Sequence, residues 1–240
     1  MQDQLYEKVK IVVGEKFATI ENTKVLTEEE LLAIIASYAN HPAYKELPNL
    51  SILVNDKFSS RVDQFSQQHH FQLHDELIIF EKILEQEKTN MPYQYAYQSL
   101  EKISIKEFKN VWAQCIEGSP NASILNIDDQ MKSVEIELGA SYKDSCIVVY
   151  EKQSPIGVVM PHIEAGTKSE GRLFYFGIIP SQRGKGKSKQ IHKEALHMLK
   201  QDFNASIYIG ATSIKNKPMI KTFSANGCNV LERNKVYKRI

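Results

Sequence analysis

The stretch IIPSQRGKGKSKQ, residues 178–190, constrains the fold of this chain more than any other segment. It follows GRLFYFGII (171–179), an apolar run rich in aromatic and β-branched residues that is typical of a strand. It leads into SKQIHKEALHMLKQDF (188–203), in which apolar residues recur with helical spacing. The expected buried stripe of that helix comprises Ile191, Ala195, Leu196, Leu199 and Phe203. The sequence therefore predicts a strand, a basic glycine-rich loop and a helix in direct succession.

A loop of this kind is suited to bind phosphate. Backbone N–H groups of residues 184–188 point outward at the start of the helix, where the helix dipole adds partial positive charge. Gly184 and Gly186 allow the backbone to approach an anion without interference from a Cβ atom. We therefore expect an anion site at the carboxyl end of the strand at 171–179.

One interpretation of the loop is a nucleoside triphosphatase site. Residues 181–188 fit that pattern if Ser181 replaces the first glycine and Lys187 is the phosphate-binding lysine. Such a protein needs a further strand that ends in a metal-binding aspartate, and several more strand–helix units. Only 52 residues follow Ser188, and their strand, SIYIGAT (206–212), lacks a terminal aspartate. This interpretation is therefore disfavoured.

Composition and charge argue against several other classes of protein. Of the 240 residues, 42% are hydrophobic and 25% charged, which favours a folded core. A net charge of +1, and a basic loop without interleaved aromatic residues, predict no nucleic-acid partner. The amino terminus lacks the apolar core of a signal peptide, and no apolar run approaches the roughly 20 residues that span a bilayer. We expect a cytoplasmic protein with no membrane partner.

The cysteines and histidines predict neither disulfides nor a metal site. Three cysteines are widely spaced along the chain: Cys115, Cys146 and Cys228. They form no zinc-binding pair, so we expect reduced, mostly buried thiols. Three histidines lie close together in sequence: His69, His70 and His74. No carboxylate or cysteine stands at ligand spacing from them, so we expect no metal.

Other periodic segments supply the remaining elements. Strands are predicted at residues 8–21, 50–55, 75–84, 145–152, 155–164 and 206–212. Helices are predicted at residues 28–39, 106–118 and 127–139. Thr27 and Glu30 form a capping-box signal at the start of the first helix.

A polar segment, EQEKTNMPYQ (85–94), indicates a domain boundary, and we predict domains at 1–90 and 91–240. A weak internal repeat relates the two halves. Each copy reads strand, asparagine (Asn55 or Asn216), short helix containing Phe-Ser, and a pair of strands, at 71–84 or 229–240. The repeat predicts that the amino-terminal domain is a partial copy without a phosphate loop.

From about residue 95 to residue 240 the chain resembles the GNAT (GCN5-related N-acetyltransferase) superfamily. The matching order is YAYQSLEKIS (95–104), two helices, three antiparallel strands, the loop PSQRGKGKS, a long helix, SIYIGAT, Asn216, a short helix and a closing hairpin. The loop resembles the family's R-x-x-G-x-[GA] pattern from Arg183 to Ser188. The resemblance implies an α+β fold, with a mixed, mostly antiparallel central sheet flanked by helices. It also implies a smaller amino-terminal domain that is a partial GNAT-like unit.

The resemblance implies acetyl-CoA as co-substrate. Backbone groups of Ile178 and Ile179 are expected to bind the pantetheine arm in a V-shaped gap between their strand and SIYIGAT. The pyrophosphate is expected to bind Gln182, Arg183, Gly184, Lys185, Gly186, Lys187 and Ser188. Asn216 matches an asparagine that contacts the cofactor, but it is also well suited to cap the helix that follows. Both roles stay open.

The chain departs from the family pattern at the catalytic positions. Many members carry a tyrosine that protonates the leaving thiolate, four residues before a glycine; here Phe223 stands four residues before Gly227. We expect Phe223 beside the cofactor without a proton to donate. The strand at 171–179 has no carboxylate to act as a base, which leaves Tyr175 as our candidate catalytic residue. Its ring could equally belong to the core. Other candidates near the expected cleft are Tyr208, His162 and Glu170, while Glu164 and His162 are more simply solvated residues at a strand end.

These features predict an N-acetyltransferase that transfers an acetyl group directly from acetyl-CoA to an amine. The acceptor could be a small molecule or a protein, and homodimerisation is left open. The alternative is a GNAT-fold protein that binds or senses acyl-CoA without turnover, which the phenylalanine at position 223 favours.

Overall fold

The computed structural model describes residues 2–14, 16–85, 91–119 and 126–240. The helices are α1 (Gln2–Tyr6), α2 (Glu28–Tyr38), α3 (Ser60–Gln68), α4 (Ile105–Ile116), α5 (Ile127–Leu138), α6 (Tyr142–Ser145), α7 (Lys187–Gln201) and α8 (Lys217–Ala225). The strands are β1 (Lys10–Val13), β2 (Phe17–Glu21), β3 (Asn49–Asn55), β4 (Phe71–Ile83), β5 (Ala96–Ser99), β6 (Ile147–Glu151), β7 (Ser154–Ile163), β8 (Glu170–Ile178), β9 (Ile207–Ser213) and β10 (Asn229–Arg239). Short 3-10 turns occur at Thr23–Val25, Gly139–Ser141 and Pro180–Gln182.

The capping box predicted for α2 is confirmed. The Thr27 side chain accepts from the Glu30 N–H at 3.2 Å, and the Glu30 carboxylate accepts from the Thr27 N–H at 2.9 Å. These reciprocal bonds satisfy donors that would otherwise be left open at the first turn.

Three predicted strand segments differ from the structure. The run at 8–21 is a hairpin of two strands, β1 and β2, rather than one strand. The segments at 71–84 and 229–240 were each expected to form a pair of strands, and each is a single long strand. A tight hairpin turn needs residues with positive φ, and none of the positive-φ residues in the described ranges lies within β4 or β10.

The chain divides into two compact units, Met1–Ile79 with Val230–Ile240, and Phe80–Asn229. We call them unit 1 and unit 2. The carboxyl-terminal strand, which the domain range 91–240 includes, belongs to unit 1 because β10 pairs with β3. Of the predicted linker at 85–94, residues 86–90 lie outside the described residues.

Unit 1 contains a sheet with strand order β1-β2-β3-β10. The β2–β3 pair is parallel and the other two pairs are antiparallel. Helix α2 covers this sheet with Leu31, Ile34 and Ile35, which pack in one core with Ile20 and Ile52.

Unit 2 contains a sheet with strand order β9-β8-β7-β6-β5. The β8–β9 pair is parallel and the other three are antiparallel. Alternate side chains of β6 enter two cores: Val148 packs with helices α4 and α5, and Val149 packs with α7. Alternation of this kind is what a strand covered on both faces requires.

The predicted fold class is confirmed, since both sheets are mixed, mostly antiparallel and flanked by helices. The two halves also share an element order, β2–α2–β3–α3–β4 in one and β8–α7–β9–α8–β10 in the other. Common ancestry of the two remains a prediction. No helix within the described ranges is both long and apolar enough to cross a membrane. The three cysteines are buried thiols outside any disulfide, as expected.

Helix α7 buries two polar side chains beside its predicted apolar stripe. Glu194 is fully buried and accepts from the Gln94 N–H, the Tyr97 hydroxyl and the Gln190 side chain. His192 is also fully buried, with its Nδ1 2.9 Å from the Asn226 Nδ2 and its Nε2 3.3 Å from the Tyr208 hydroxyl. Because the Asn226 amide nitrogen is a donor, Nδ1 must accept, and the neutral imidazole fits this arrangement.

Unit 2 should therefore lose stability in acid through His192. Burial lowers the pKa of His192 to about 3, with Lys82 contributing in the same direction. Below the ordinary pKa of 6.5 the unfolded chain takes up a proton that the folded chain excludes, so folding weakens as pH falls. Between pH 6.5 and pH 5 this one group should reduce the free energy of unfolding by about 2 kcal/mol.

Urea unfolding of the wild type and of His192→Gln at both pH values measures this effect. The variant should show a smaller loss between the two pH values, whereas His197→Gln, on the same helix, should lose as much as the wild type. Equal losses in wild type and His192→Gln would contradict the assignment.

Candidate functional site

Strands β8 and β9 separate soon after they pair. Both lie wholly within the described ranges, and their register consists of Glu170 with Ile207 and Gly171 with Tyr208. On the other side of β8 the register with β7 shifts, since Val159 pairs with Phe176 but Pro161 pairs with Leu173. The residues Phe174 and Tyr175 of β8 therefore lie opposite the single residue Met160. Such a bulge bends a strand and increases its twist, which accounts for a gap between β8 and β9.

The gap leaves two backbone donors of β8 without a partner strand. The Ile179 N–H donates to the Ile156 carbonyl at 3.1 Å. Because backbone groups alternate sides along an antiparallel strand, Gly177 also faces β7, whereas the N–H groups of Phe176 and Ile178 face the gap. The expected contribution of Ile178 is thus available, while the N–H of Ile179 is used within the sheet.

The loop after β8 ends at the start of α7, as predicted. Gly186 is the N-cap residue of α7, with φ of 74°, and Gly184 has φ of 73°. Both values lie in the left-handed region that favours glycine. A Cβ atom would meet nothing within 4 Å at either position, so backbone conformation rather than crowding requires these glycines. Gly186 has no side chain to cap the helix, and the first N–H groups of α7 stay open to a ligand.

These elements border a cleft of about 880 Å³. It includes nine of the residues predicted to form the site: Tyr175, Ile178, Gln182, Arg183, Gly184, Gly186, Lys187, Ser188 and Asn216. Three other predicted residues do not line it: Ile179, Lys185 and Phe223. Five basic side chains and no acidic ones line the cleft among the described residues: Arg183, Lys187, Lys189, Lys217 and Lys221. The cleft therefore suits an anion with several charges.

Two of the basic residues also have structural roles. The Lys187 ammonium lies 2.5 Å from Glu151 and holds the pKa of that carboxyl below its ordinary value. Arg183 donates from Nε to the Ile178 carbonyl at 2.9 Å and from Nη2 to the Cys115 carbonyl at 2.8 Å. It thereby ties the loop to the ends of β8 and α4.

Helix α8 forms the opposite wall through a stripe that sequence reasoning missed. Of its six cleft-lining residues, which include Lys217 and Met219, four follow helical spacing: Pro218, Lys221, Thr222 and Ala225. Their i, i+3, i+4, i+7 pattern was the available signal. Asn216 caps this helix by accepting from the Met219 N–H at 3.3 Å, and it also lines the cleft. The cap role of Asn216 is confirmed, and its role toward a cofactor stays a prediction.

The fold of the chain is similar to that of several solved structures. No family model and no curated protein matches the sequence. A GCN5-related N-acetyltransferase from Sphaerobacter thermophilus superimposes with a TM-score of 0.61 over 96% of this chain and 75% of that one, at 10% identity. A conserved protein of unknown function from Staphylococcus epidermidis gives 0.63 over 100% and 97%, at 12% identity. A tandem GNAT protein from the clavulanic acid biosynthesis pathway gives 0.57 over 96% and 77%, at 11% identity.

The chain has the GNAT fold. The superpositions establish the architecture. Because the sequence identities are low, the chemistry has to be argued from the residues of the site. Within this GNAT fold, β8 and β9 are the strands that separate, and α7 is the helix whose N-terminus borders the cleft.

The residues of this chain that the sequence suggested for catalysis lie in three different environments. Phe223 is 2% exposed and packs on the rings of Phe80, His192 and Tyr208, on the face of α8 away from the cleft. Tyr208 is itself buried and bonded to His192. Neither side chain lines the cleft. His162, Glu164 and Glu170 lie in a separate polar group at the other end of β7 and β8.

Tyr175 is the catalytic candidate that lines the cleft. Its ring meets Trp112 edge-on at 5.6 Å, and its hydroxyl lies only 2.5 Å from where a Cβ atom on Gly177 would be. Gly177 thus makes room for the hydroxyl, which forms no hydrogen bond with the described residues. Burial raises the pKa of Tyr175, and neighbouring Cys115 adds to the effect. The hydroxyl therefore stays protonated and can donate.

The described residues contain no group of three or more histidines, cysteines, aspartates or glutamates placed to hold a metal ion. The ring of His69, from the histidine cluster in the sequence, lies 4.3 Å from the ring of Phe65, measured between centroids, at a tilt of 35°.

Loss of the Arg183 bonds should destabilise unit 2. Arg183→Ala leaves the carbonyls of Ile178 and Cys115 without their donor, so we expect the free energy of unfolding to fall by about 1–2 kcal/mol. Urea unfolding gives the value. Lys189→Ala removes an exposed positive charge from the same cleft without breaking a bond, so it should stay within about 0.5 kcal/mol of wild type. Equal effects of the two substitutions would show that Arg183 does not brace the loop.

Proposed function

We propose that the chain is an N-acetyltransferase that transfers an acetyl group from acetyl-CoA directly to an amine. The observation that carries the proposal is the conjunction of two features in unit 2. Strands β8 and β9 separate, and the gap between them opens beside the uncapped N-terminus of α7. A phosphate-binding helix end and a slot lined with free amide donors together match a ligand with a phosphorylated head and an amide-containing arm.

The residues of the cleft fit coenzyme A. The N–H groups of the loop from Gly184 to Ser188 would hold the pyrophosphate, and Lys217 and Lys221 of α8 would add positive charge. The N–H groups of Phe176 and Ile178 would bind the amide groups of the pantetheine arm. One of these donors would also polarise the thioester carbonyl, where negative charge develops during attack by the amine.

Tyr175 would supply the proton for the leaving group. The neutral acceptor amine attacks the thioester carbon and forms the N–C bond, the C–S bond breaks, and the sulfur takes the proton of the Tyr175 hydroxyl. The new amide nitrogen would then give up its extra proton, which returns through water to the tyrosinate. This assignment replaces the tyrosine that the family resemblance places at position 223, since Phe223 is buried and cannot donate. We expect a cytoplasmic enzyme whose acceptor is a small-molecule or protein amine.

A binding protein without turnover is the second candidate, favoured by the phenylalanine at position 223. Both candidates bind acetyl-CoA, and release of free thiol in the presence of amines separates them. A panel of primary amines with detection of thiol makes the distinction.

Acetyl-CoA should raise the melting temperature of the protein, and Gly186→Ala should abolish most of the shift. At about 100 times its dissociation constant a ligand adds about 2.7 kcal/mol to stability. Alanine at position 186 strains the N-cap of α7 and so displaces the amide groups that bind the pyrophosphate. Scanning fluorimetry with acetyl-CoA and with Mg-ATP is the measurement, and Mg-ATP should give no shift.

Gly166→Ala is the matched control. Gly166 lies in the turn between β7 and β8 with φ of 81°, and a Cβ atom there meets nothing within 4 Å. Both substitutions force a residue into the left-handed region at a cost of about 1–2 kcal/mol, yet Gly166→Ala should keep the acetyl-CoA shift. A shift with Mg-ATP alone would overturn the proposed cofactor.

Tyr175→Phe should lower kcat by about 10²-fold, because the leaving thiolate loses its proton donor. The affinity for acetyl-CoA and the melting temperature should stay near wild type, since the ring keeps its contact with Trp112. The rate of thiol release is followed with the fastest amine of the panel. A kcat equal to that of wild type would exclude Tyr175 as the acid.

A further inference from the structure

Strand β1 forms an end of the unit 1 sheet and pairs on one side only. It stands first in the strand order, and its partner is β2. No strand of the described ranges lies along its other side. Such an edge presents backbone N–H and C=O groups to any extended segment that can pair with it. All residues of β1 and β2 belong to unit 1.

The hydrogen bonds of the β1–β2 hairpin show which backbone groups remain open. The Gly14 N–H donates to the Phe17 carbonyl at 2.9 Å, so Gly14 faces β2. Because backbone groups alternate sides along an antiparallel strand, Val12 also faces β2, whereas Ile11 and Val13 face away from it. No hydrogen bond from the described part of the chain reaches the outward N–H and carbonyl groups of Ile11 and Val13. The edge therefore carries two open donors and two open acceptors.

The side chains along this edge are mostly apolar and β-branched. Val13 is 57% exposed, and Ile11 is partly buried beside the core that α2 covers. Ile11 and Val13 share that face of the sheet, and Val12 is on the opposite face. The one charged residue of the strand, Lys10, lies 3.6 Å from Glu21 of β2 and so has a partner within the chain. A strand that paired with this edge would bury apolar surface as well as polar backbone groups.

The edge strand of unit 2, β5, is protected in a way that β1 is not. The Leu100 N–H, just after β5, donates to the Cys146 carbonyl at 3.2 Å, so Leu100 faces β6 and Ser99 faces away from it. The outward carbonyl of Ser99 accepts from the Lys102 N–H at 2.8 Å, and a turn of the chain thus covers this edge. Proteins commonly blunt edge strands with loops, prolines, bulges or charges. Strand β1 contains no proline, and its register with β2 has no shift.

The open edge of β1 is complementary to itself. When two copies of β1 run antiparallel with Val12 of each on a two-fold axis, Ile11 of one copy lies opposite Val13 of the other. The N–H and carbonyl groups of Ile11 then meet the carbonyl and N–H groups of Val13, so every open donor and acceptor is used. Facing Ile11 and Val13 side chains also form a β-branched cross-strand pair of the kind that stabilises sheets. A two-fold contact of this type closes after two copies.

We propose that β1 is a dimerisation surface, at which a second copy of the chain pairs edge to edge and joins the two unit 1 sheets. A second copy is the partner that fits, because donors, acceptors and apolar side chains all match under the two-fold. The contact involves one short strand from each copy, so we expect a dimer that exchanges with monomer at micromolar concentrations. No residue of β1 lines the cleft of unit 2, and the inference is independent of the acetyltransferase activity.

The first experiment measures the dimer dissociation constant of the whole chain by sedimentation velocity over a range of concentrations. Val13→Pro removes the outward N–H of Val13, which has no bond within the chain, and edge strands tolerate proline where the N–H faces solvent. The variant should raise the dissociation constant about 30-fold, because each copy loses one intermolecular hydrogen bond. Its melting temperature, measured where the wild type is monomeric, should stay near that of wild type.

Val13→Thr is the matched control. Threonine keeps both the N–H and the β-branched shape, so the dissociation constant should stay within about fivefold of wild type. A wild type that remains monomeric up to about 100 μM overturns the proposal, and an edge that serves a different extended partner would give this result. A dimer that Val13→Pro leaves unchanged uses another surface and overturns the proposal equally.

The second experiment tests the register by cross-linking and does not depend on the proline variant. In the proposed pairing Val12 faces itself at a non-hydrogen-bonded position, where the Cα atoms lie about 4.5 Å apart. A disulfide spans that distance, so mild oxidation of Val12→Cys should give a covalent dimer on a non-reducing gel. Lys10→Cys lies on the same face of β1, but its two copies would be roughly 14 Å apart and should stay unlinked.

The native cysteines do not interfere with the cross-linking experiment. Cys115, Cys146 and Cys228 are all buried, so the oxidised wild type should run as a monomer on the same gel. Efficient linkage of Val12→Cys alone supports the proposed edge and register. Equal linkage of Val12→Cys and Lys10→Cys, or no linkage of Val12→Cys at concentrations where the wild type is dimeric, overturns them.

Discussion

The separation of β8 from β9 is the constraint on which the rest of unit 2 depends. Had the two strands stayed paired, the N–H groups of Phe176 and Ile178 would be used within the sheet, and no slot would open beside α7. The bulge opposite Met160 bends β8 at the required place. The same bulge brings Tyr175 onto the face that carries Trp112 and directs its hydroxyl over Gly177. One irregularity in the strand register thus accounts for both the slot and the position of Tyr175, the proposed proton donor.

Unit 1 shows what the same element order does without that irregularity. Its parallel strands β2 and β3 pair at four successive positions, from Phe17 with Asn49 to Ile20 with Ile52. Its helix α2 begins with a complete capping box and carries three glutamates in the first turn. The capping box uses some of the N–H groups that could bind an anion, and the negative charge of the three glutamates repels an anion. Helix α7 has a glycine N-cap and no acidic residue in its first turn. The two units therefore differ in the features that phosphate binding needs.

In the loop between β8 and α7, the sequence predicted the backbone conformation better than the contacts of the side chains. Gly184 and Gly186 were assigned from their spacing, and both adopt the left-handed conformation for which glycine is suited. The family resemblance assigned Arg183 and Lys187 to the pyrophosphate. In the structure Arg183 braces two carbonyls and Lys187 is paired with Glu151, because long side chains reach partners that are distant in sequence. The α8 residues that line the cleft and the Cys115 carbonyl that Arg183 contacts are likewise distant in sequence from the loop.

The sequence by itself determined the strand–loop–helix unit, the order of elements and the fold class, because these follow from local periodicity, turn residues and capping signals. It also indicated the basic glycine-rich loop as the candidate anion site, since the glycines and the basic residues are adjacent in the sequence. Only the tertiary structure decided that β10 pairs within unit 1, that Phe223 turns into the core and Tyr175 into the cleft, and that His162 lies among carboxylates. Strand register, helix orientation and burial fix those outcomes, and each depends on contacts between residues far apart in sequence.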